Sequence, residues 1–195
     1  MGADRLARIG AILEEAARMH DEVRRRDLTP VLRAVEALER AFARGGKVLL
    51  FGNGGSAADA QHFAAELVGR FQRIRAARAA VALSADASVV TAIANDEGYE
   101  RVFARQIEAL GAPGDVAVAI STSGASRNVL AALAAARTRG LATVALTGRD
   151  GGAAAAAADI HVNVPHVSAA RVQEVHRTLM HAICALVEEA IEDRG

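Results

Sequence analysis

The spacing of hydrophobic positions along the chain predicts helices at both ends and alternating strands and helices between them. Residues 4–27 carry apolar side chains at helical spacing. Thr29 and Pro30 then predict an N-cap and a first-turn proline for a second helix, which Gly45 and Gly46 should end after residue 44. A last helix, predicted over 168–192, again carries an apolar stripe.

Between these helices, five short apolar runs are typical of strands buried on both faces of a parallel sheet. The predicted strands are 48–51, 79–83, 115–120, 142–146 and 159–164. The helical stretches that separate them are 56–69, 86–94, 98–110, 126–139 and 151–158. This alternation predicts a doubly wound α/β fold with a five-stranded parallel sheet covered by helices on both faces.

No linker or repeat divides the 195 residues, so we expect one domain over 1–195. It would comprise a helical segment over 1–46, an α/β core over 47–165 and a C-terminal helix over 166–195. The terminal helices have no strand of their own to cover. Their apolar stripes could pack within the domain or form the subunit interface of a homo-oligomer.

Composition narrows the class of protein. The formal net charge is zero, which argues against a nucleic acid partner, because a basic face is the usual footprint of such binding. Cys184 is the only cysteine, so no disulfide can form within the chain. The first residues lack the apolar segment of a signal peptide, and no apolar run is long enough to span a membrane. We therefore expect a cytoplasmic protein without a membrane partner.

The first predicted strand ends in a glycine-rich turn, Gly52-Asn53-Gly54-Gly55-Ser56, before a helix. Glycines let the backbone approach a ligand closely, and a helix N-terminus offers free N–H groups. The turn could thus bind a phosphate or a sugar hydroxyl. A tight strand-to-helix connection without a ligand is the alternative.

The third predicted strand ends in a second polar turn before a helix, Ser121-Thr122-Ser123-Gly124-Ala125-Ser126. Four hydroxyls at a helix N-terminus form a neutral anion site. In the alternative, Ser126 is an N-cap and the other hydroxyls are ordinary loop residues.

The two turns would meet if the strand order is 2-1-3-4-5, because strands one and three are then neighbours where the order reverses. A small phosphomonoester suits such a crevice. A dinucleotide fingerprint, Gly52-x-Gly54-x-x-Ala57, competes with this interpretation. It requires an acidic residue about 20 positions further on, and none lies between Leu67 and Ala85.

Candidate chemistry follows the first turn. His62 and Glu66 lie four residues apart on one helical face, where they could share zinc or act as an acid–base pair. A surface ion pair between Glu66 and Arg70 is the alternative.

Further polar residues lie outside these turns. Gln173, His176 and His181 lie on the last helix, as further candidate ligands or as a polar interface. Asn95 and Asp96, after strand two, are either a helix end or contacts to sugar hydroxyls.

These motifs, in this order and spacing, resemble those of the phosphoheptose isomerases, which belong to the sugar isomerase (SIS) domain superfamily. The segments that carry the resemblance are 52–63 with Glu66, 94–96, 120–124, 146–148 and 173–176. The resemblance covers nearly the whole chain. Ala125 and Ala170 depart from it, standing where other members carry polar residues or Asp.

The resemblance implies a homotetramer that converts sedoheptulose 7-phosphate to D-glycero-D-manno-heptose 7-phosphate through an enediol, for nucleotide-activated heptose synthesis. It implies that Glu66 and His181 are the catalytic acid–base pair. It implies a zinc site of His62, Glu66, Gln173 and His181. The substrate-binding residues that it implies are Asn53, Gly54, Gly55, His62, Glu66, Asn95, Asp96, Ser121, Thr122, Ser123, Ser126 and Gln173.

Two alternatives stay open within the superfamily. The chain could isomerise another ketose phosphate. It could instead be a non-catalytic binding protein, like a tetrameric relative that associates with a bacterial replication initiator.

Overall fold

The structure is a computed structural model that describes residues 2–192, without the side chains of residues 3, 191 and 192. The outermost parts of the predicted terminal segments, residue 1 and residues 193–195, lie outside the described residues. The helices are α1 Gly2–Arg24, α2 Thr29–Ala43, α3 Gly55–Val68, α4 Ala87–Glu97, α5 Ala104–Leu110, α6 Arg127–Thr138, α7 Gly152–Ala157 and α8 Ala169–Glu192. The strands are β1 Val48–Gly52, β2 Ala80–Ala82, β3 Val116–Ser121, β4 Ala142–Gly148 and β5 Ile160–Val164.

The five strands form one parallel sheet in the order β2-β1-β3-β4-β5, which confirms the predicted fold class and the predicted strand order. In the register of β1 and β3, Gly52 lies opposite Ile120. Both strands therefore end at the same edge of the sheet, and the turns that leave them begin side by side.

Helices cover both faces of the sheet, as the alternating pattern predicts. On one face, α2, α3 and α8 pack through residues such as Leu38, Phe63 and Ile183. On the other face, α5, α6 and α7 pack through residues such as Ile107, Leu133 and Ala154. Because α3 and α8 share one face, they can bring side chains from distant parts of the sequence together.

Two predictions about the helices are wrong. Thr29 is the first residue of α2 rather than its N-cap, because Leu28 occupies the cap position and the Asp27 carboxylate accepts the Thr29 N–H at 2.9 Å. The helix predicted over 98–110 is divided into a 3-10 turn, Tyr99–Arg101, and α5. The division allows Val102 and Phe103 both to be buried against the sheet.

The terminal helix α1 divides its apolar residues between two environments. Met19 and Val23 pack against α8 in a small core of their own. Leu6, Ile9 and Leu13 are 71%, 55% and 65% exposed on the chain considered alone. Packing within the domain thus accounts for only the C-terminal half of the predicted stripe. Of the helices within residues 2–192, none has the length and hydropathy needed to cross a bilayer.

Candidate active site

The turns that leave β1 and β3 converge on one cavity of about 90 Å³, as the strand order predicts. The cavity is lined by Asn53, Ser56, Ile120, Ser121, Thr122, Ser123, Ser126 and Gln173. None of these residues carries a positive charge. An anion here would bind to hydroxyl and amide groups and to the N-terminus of α6.

Close packing explains the glycines of the first turn. A Cβ atom at Gly52 would lie 2.6 Å from the Ile120 carbonyl oxygen, and a Cβ at Gly55 would collide with the Gln173 amide. Gly54 has a φ of +56°, a backbone conformation that favours glycine. The first turn therefore packs directly against the Gln173 side chain. Gln173, a predicted substrate-binding residue, thus lies at the cavity.

Hydroxyl groups of the second turn gather around Ser121. Its Oγ accepts the Gly124 N–H at 3.2 Å and lies 3.4 Å from the Ser126 Oγ and 3.5 Å from the Ser123 Oγ. Ser126 occupies the N-cap position of α6, but its side chain makes no capping hydrogen bond within the described chain. The N-cap position predicted by the alternative is confirmed, but the Ser126 hydroxyl does not cap the helix, and the residue lines the cavity.

Asn53 is held by two residues that no sequence motif indicated, Asn128 and Tyr99. Asn53 and Asn128 exchange two amide hydrogen bonds of 2.9 Å, and the Tyr99 hydroxyl donates to the Asn53 Oδ1 at 3.2 Å. Asn128 is 4% exposed. Its poor helix propensity, two residues after Ser126, is the one signal in the sequence that points to it.

Asn95 and Asp96 lie at the C-terminal end of α4, outside the cavity. Both are exposed, and the Asn95 amide donates to the Asp96 carboxylate at 2.7 Å. The described chain by itself therefore does not bring them to the turns, and their contact with substrate stays a prediction.

His62, Glu66 and His181 form a cluster between α3 and α8. The Nε2 atoms of the two histidines are 2.8 Å apart, and the His62 Nε2 is 3.4 Å from the Glu66 Oε1. Each of the three residues offers one potential ligand atom, an imidazole nitrogen or a carboxylate oxygen. These three atoms all lie within 4.8 Å of one another. Within residues 2–192, this is the one group of three or more His, Cys, Asp or Glu side chains close enough to hold a metal ion.

The Glu66 carboxylate lies beside the His62 imidazole rather than beside Arg70; across residues 2–192 no ion pair joins Glu66 to Arg70. Its side chain is 22% exposed, so it is partly desolvated but open to a ligand. The ring of Phe71 stacks on His181 with a centroid distance of 5.3 Å. Both functional groups are thus oriented by their neighbours.

The cluster fits a divalent zinc ion. Two imidazoles and a carboxylate are common zinc ligands, and three protein ligands with an open position are typical of catalytic sites. Zinc–nitrogen bonds of about 2.0–2.1 Å in a tetrahedral site would need the two Nε2 atoms to separate by about half an ångström. The position of Gln173 beside Gly55 is established, but its role as a fourth ligand stays a prediction.

His176 has a structural role, unlike its neighbours on α8. It is completely buried, and its Nε2–H donates to the Thr147 carbonyl oxygen at 3.0 Å. Burial lowers the pKa of His176 to about 4, although the Thr147 carbonyl and Asp59 both oppose that change. The histidine is therefore neutral at physiological pH and belongs to the core, not to a polar interface.

Comparisons with known proteins agree with this geometry. The family profile described as "SIS domain" matches residues 12–148. A phosphoheptose isomerase from Roseiflexus sp. is 53% identical over 174 residues, which are 87% of this chain and 88% of that protein. The chain belongs to the SIS domain family and, within it, to the phosphoheptose isomerases.

Solved structures of phosphoheptose isomerases share the whole architecture. That from Neisseria gonorrhoeae is 46% identical, has a TM-score of 0.89, and the match covers 94% of this chain and 98% of that one. That from Francisella tularensis is 34% identical with a TM-score of 0.91, covering 95% and 98%. Because both matches cover more than nine-tenths of this chain, they include helices at its ends as well as the sheet.

Proposed function

We propose that this phosphoheptose isomerase interconverts sedoheptulose 7-phosphate and D-glycero-D-manno-heptose 7-phosphate, supplying nucleotide-activated heptose synthesis. Identity of 53% to the Roseiflexus phosphoheptose isomerase supports the reaction class. The single observation that carries the proposal is the His62–Glu66–His181 cluster on the two helices that also border the cavity.

The separation of the two parts of the site suits a long substrate. Ser56 lines the cavity, and His62 follows it six residues later on α3, a rise of about 9 Å along the helix. The phosphate of a heptose 7-phosphate lies at one end of the carbon chain, and the reacting carbons C1 and C2 lie at the other. We infer that the phosphate binds at the Ser/Thr turn while C1 and C2 reach the cluster.

The chain supplies the groups that an aldose–ketose exchange requires. Glu66 takes a proton from C1 of the ketose while His181 gives a proton to the C2 oxygen, which produces the enediol. His181 then takes the proton from the C1 oxygen, and Glu66 returns a proton to C2, so that the aldose forms. The two groups end in the protonation states in which they began.

Zinc is the proposed cofactor, held by His62, Glu66 and His181, with Gln173 as the proposed fourth ligand. A zinc ion would act as a Lewis acid toward the carbonyl and neighbouring hydroxyl oxygens of the sugar. A carboxylate that binds a metal is a weaker base, and a metal-bound imidazole nitrogen has no proton to give. Glu66 and His181 would therefore act as base and acid only while free of the ion, or the ion would mainly orient the site. Phe71, stacked on His181, limits the movement of that imidazole.

We further propose a cytoplasmic homotetramer. The exposed apolar face of α1, formed by Leu6, Ile9 and Leu13, supports burial against other copies of the chain. Sedimentation velocity should show one species of four chains, and Leu13→Glu should shift it to smaller species. A monomeric wild type would contradict this part of the proposal.

The assay that tests the function follows sedoheptulose 7-phosphate by NMR. We expect the aldose signal of the heptose 7-phosphate to appear with the wild-type protein and with added zinc. If tight binding occurs without conversion, the chain is a binding protein of the same fold. If another ketose phosphate is converted faster, the reaction class stands and the substrate assignment fails.

A further inference from the structure

The amide of Asn53 has a fixed orientation, which follows from a chain of hydrogen bonds beginning in the backbone. The Val129 N–H donates to the Asn128 Oδ1 at 3.0 Å. A backbone N–H can only donate, so this atom of Asn128 must be the amide oxygen. The other atom of the Asn128 amide is then the nitrogen, and it can donate.

The orientation of Asn128 determines that of Asn53. The Asn128 Nδ2 donates to the Asn53 Oδ1, and the Asn53 Nδ2 donates back to the Asn128 Oδ1, both at 2.9 Å. If either amide were flipped, the two Nδ2 donors would face each other and the two Oδ1 acceptors would face each other. Such contacts would forfeit both hydrogen bonds in a partly buried site, so the observed orientation is favoured.

Tyr99 completes the arrangement from a third segment of the chain. Its hydroxyl donates to the Asn53 Oδ1 at 3.2 Å, so this oxygen accepts two hydrogen bonds. An amide oxygen has two lone pairs, and an amide nitrogen has two hydrogens. The oxygen of Asn53 is therefore fully used, whereas one hydrogen on its nitrogen has no partner in this network.

We propose that Asn128 and Tyr99 are positioning residues, which make Asn53 present an N–H donor to the sugar phosphate. The inference rests on the proposed function and concerns the same cavity. Asn53 lines that cavity together with the hydroxyls of Ser121, Thr122 and Ser126. Since none of the residues that line the cavity is cationic, each correctly oriented donor contributes a large share of the recognition of the phosphate oxygens.

The two positioning residues act from different elements. Asn128 is the second residue of α6, the helix whose N-terminus borders the cavity, and it is 4% exposed. Tyr99 lies in the 3-10 turn that follows α4 and is 57% exposed. The network therefore ties the turn after β1 to the segments that follow β2 and β3.

Asn128→Asp tests the proposal with almost no change in shape. A carboxylate cannot donate to the Asn53 Oδ1, so Asn53 should turn away or reverse its amide. We expect the KM for sedoheptulose 7-phosphate to rise roughly tenfold or more, with kcat within about twofold and zinc content unchanged. Asn163→Asp adds the same charge on β5, outside the network, and should leave the KM close to that of the wild type.

Tyr99→Phe provides a second test at an exposed position, where folding should be unaffected. Loss of one neutral hydrogen bond should raise the KM about threefold with kcat unchanged. Asn53→Ala sets the upper limit of the effect. The proposal is overturned if Asn53→Ala raises the KM whereas Asn128→Asp and Tyr99→Phe do not, or if both variants lower kcat at constant KM.

Failure of the proposed function would be recognised separately. If the wild type does not convert sedoheptulose 7-phosphate, calorimetric dissociation constants for this compound replace the KM values in the same comparison. A weaker affinity in both variants would then still support the positioning role. No binding to the wild type would overturn both proposals.

Discussion

Glu188 and Arg75 form a buried ion pair that joins α8 to the segment following α3, with an Nε–Oε1 distance of 3.0 Å. The Glu188 carboxylate also accepts the backbone N–H groups of Phe71, Gln72 and Arg73. The Arg75 guanidinium donates to the Glu66 carbonyl oxygen at 2.7 Å. This one pair therefore fixes both the end of α3 that carries Glu66 and the ring that stacks on His181.

We predict that Glu188→Gln destabilises the protein by roughly 3 kcal/mol, because it leaves the Arg75 charge buried without its partner. Urea unfolding measures the free energy. Glu189→Gln is the matched control: this neighbour is 55% exposed, and its loss should change stability by less than about 0.5 kcal/mol. Equal effects of the two substitutions would contradict the structural role assigned to Glu188.

The same carboxylate should contribute to acid unfolding. Burial by itself would raise the pKa of Glu188, but the N–H groups of Gln72, Phe71 and Arg73, together with Arg75, outweigh burial and lower it. A lowered folded-state pKa gives stability that is present above the unfolded-state pKa and is lost as the pH falls through the folded-state value. Glu188 should therefore make its full contribution to the free energy of unfolding at neutral pH.

His176 should make the free energy of unfolding fall at a higher pH than Glu188 does. Its pKa of about 4 lies below the ordinary value near 6.5, so the unfolded chain binds a proton between these values and the folded chain does not. Stability is therefore lost as the pH falls from 6.5 toward 4. Between pH 7 and pH 5, the wild type should lose about 2 kcal/mol more than His176→Gln. Parallel losses in the two proteins would show that His176 does not carry this dependence.

The sequence predicted the sheet and the convergence of the two turns because both depend on local patterns. Apolar runs indicated the strands. Because neighbouring parallel strands end at the same edge of a sheet, the expected strand order then predicted that Asn53 and Ser121 border one cavity. Similarly, the spacing of His62 and Glu66 determined that they share a helical face. Strand β2 was predicted too long, because this edge strand pairs with β1 over only three residues.

Contacts between distant segments could not be predicted in the same way. Arg75 and Glu188 are 113 residues apart, and no periodicity relates their positions. Nothing local distinguishes Glu188 from its exposed neighbour Glu189, since only the packing of α8 against α3 buries one and not the other. The pairing of Asn53 with Asn128 likewise becomes visible only when β1 and α6 are placed together.

The zinc proposal predicts a specific pattern of metal loss. We expect about one zinc ion per chain after dialysis against limiting zinc, measured by atomic emission, and a higher melting temperature with zinc than without it. His62→Ala should abolish both the zinc binding and the rise in melting temperature, because it removes one of the three clustered ligands. His20→Ala, which alters a histidine between α1 and α8, should retain both. Full zinc occupancy in His62→Ala would contradict the proposed ligand set.

The central claim, that Glu66 exchanges a proton with carbon at this site, is tested most directly by isotope incorporation in D₂O. Sedoheptulose 7-phosphate is incubated with enzyme, and deuterium at C1 of the recovered ketose is measured by NMR. The wild type should incorporate deuterium, whereas Glu66→Gln should bind the sugar phosphate with little change in affinity and incorporate none. Incorporation by Glu66→Gln at the wild-type rate would contradict the assignment of Glu66 as the base.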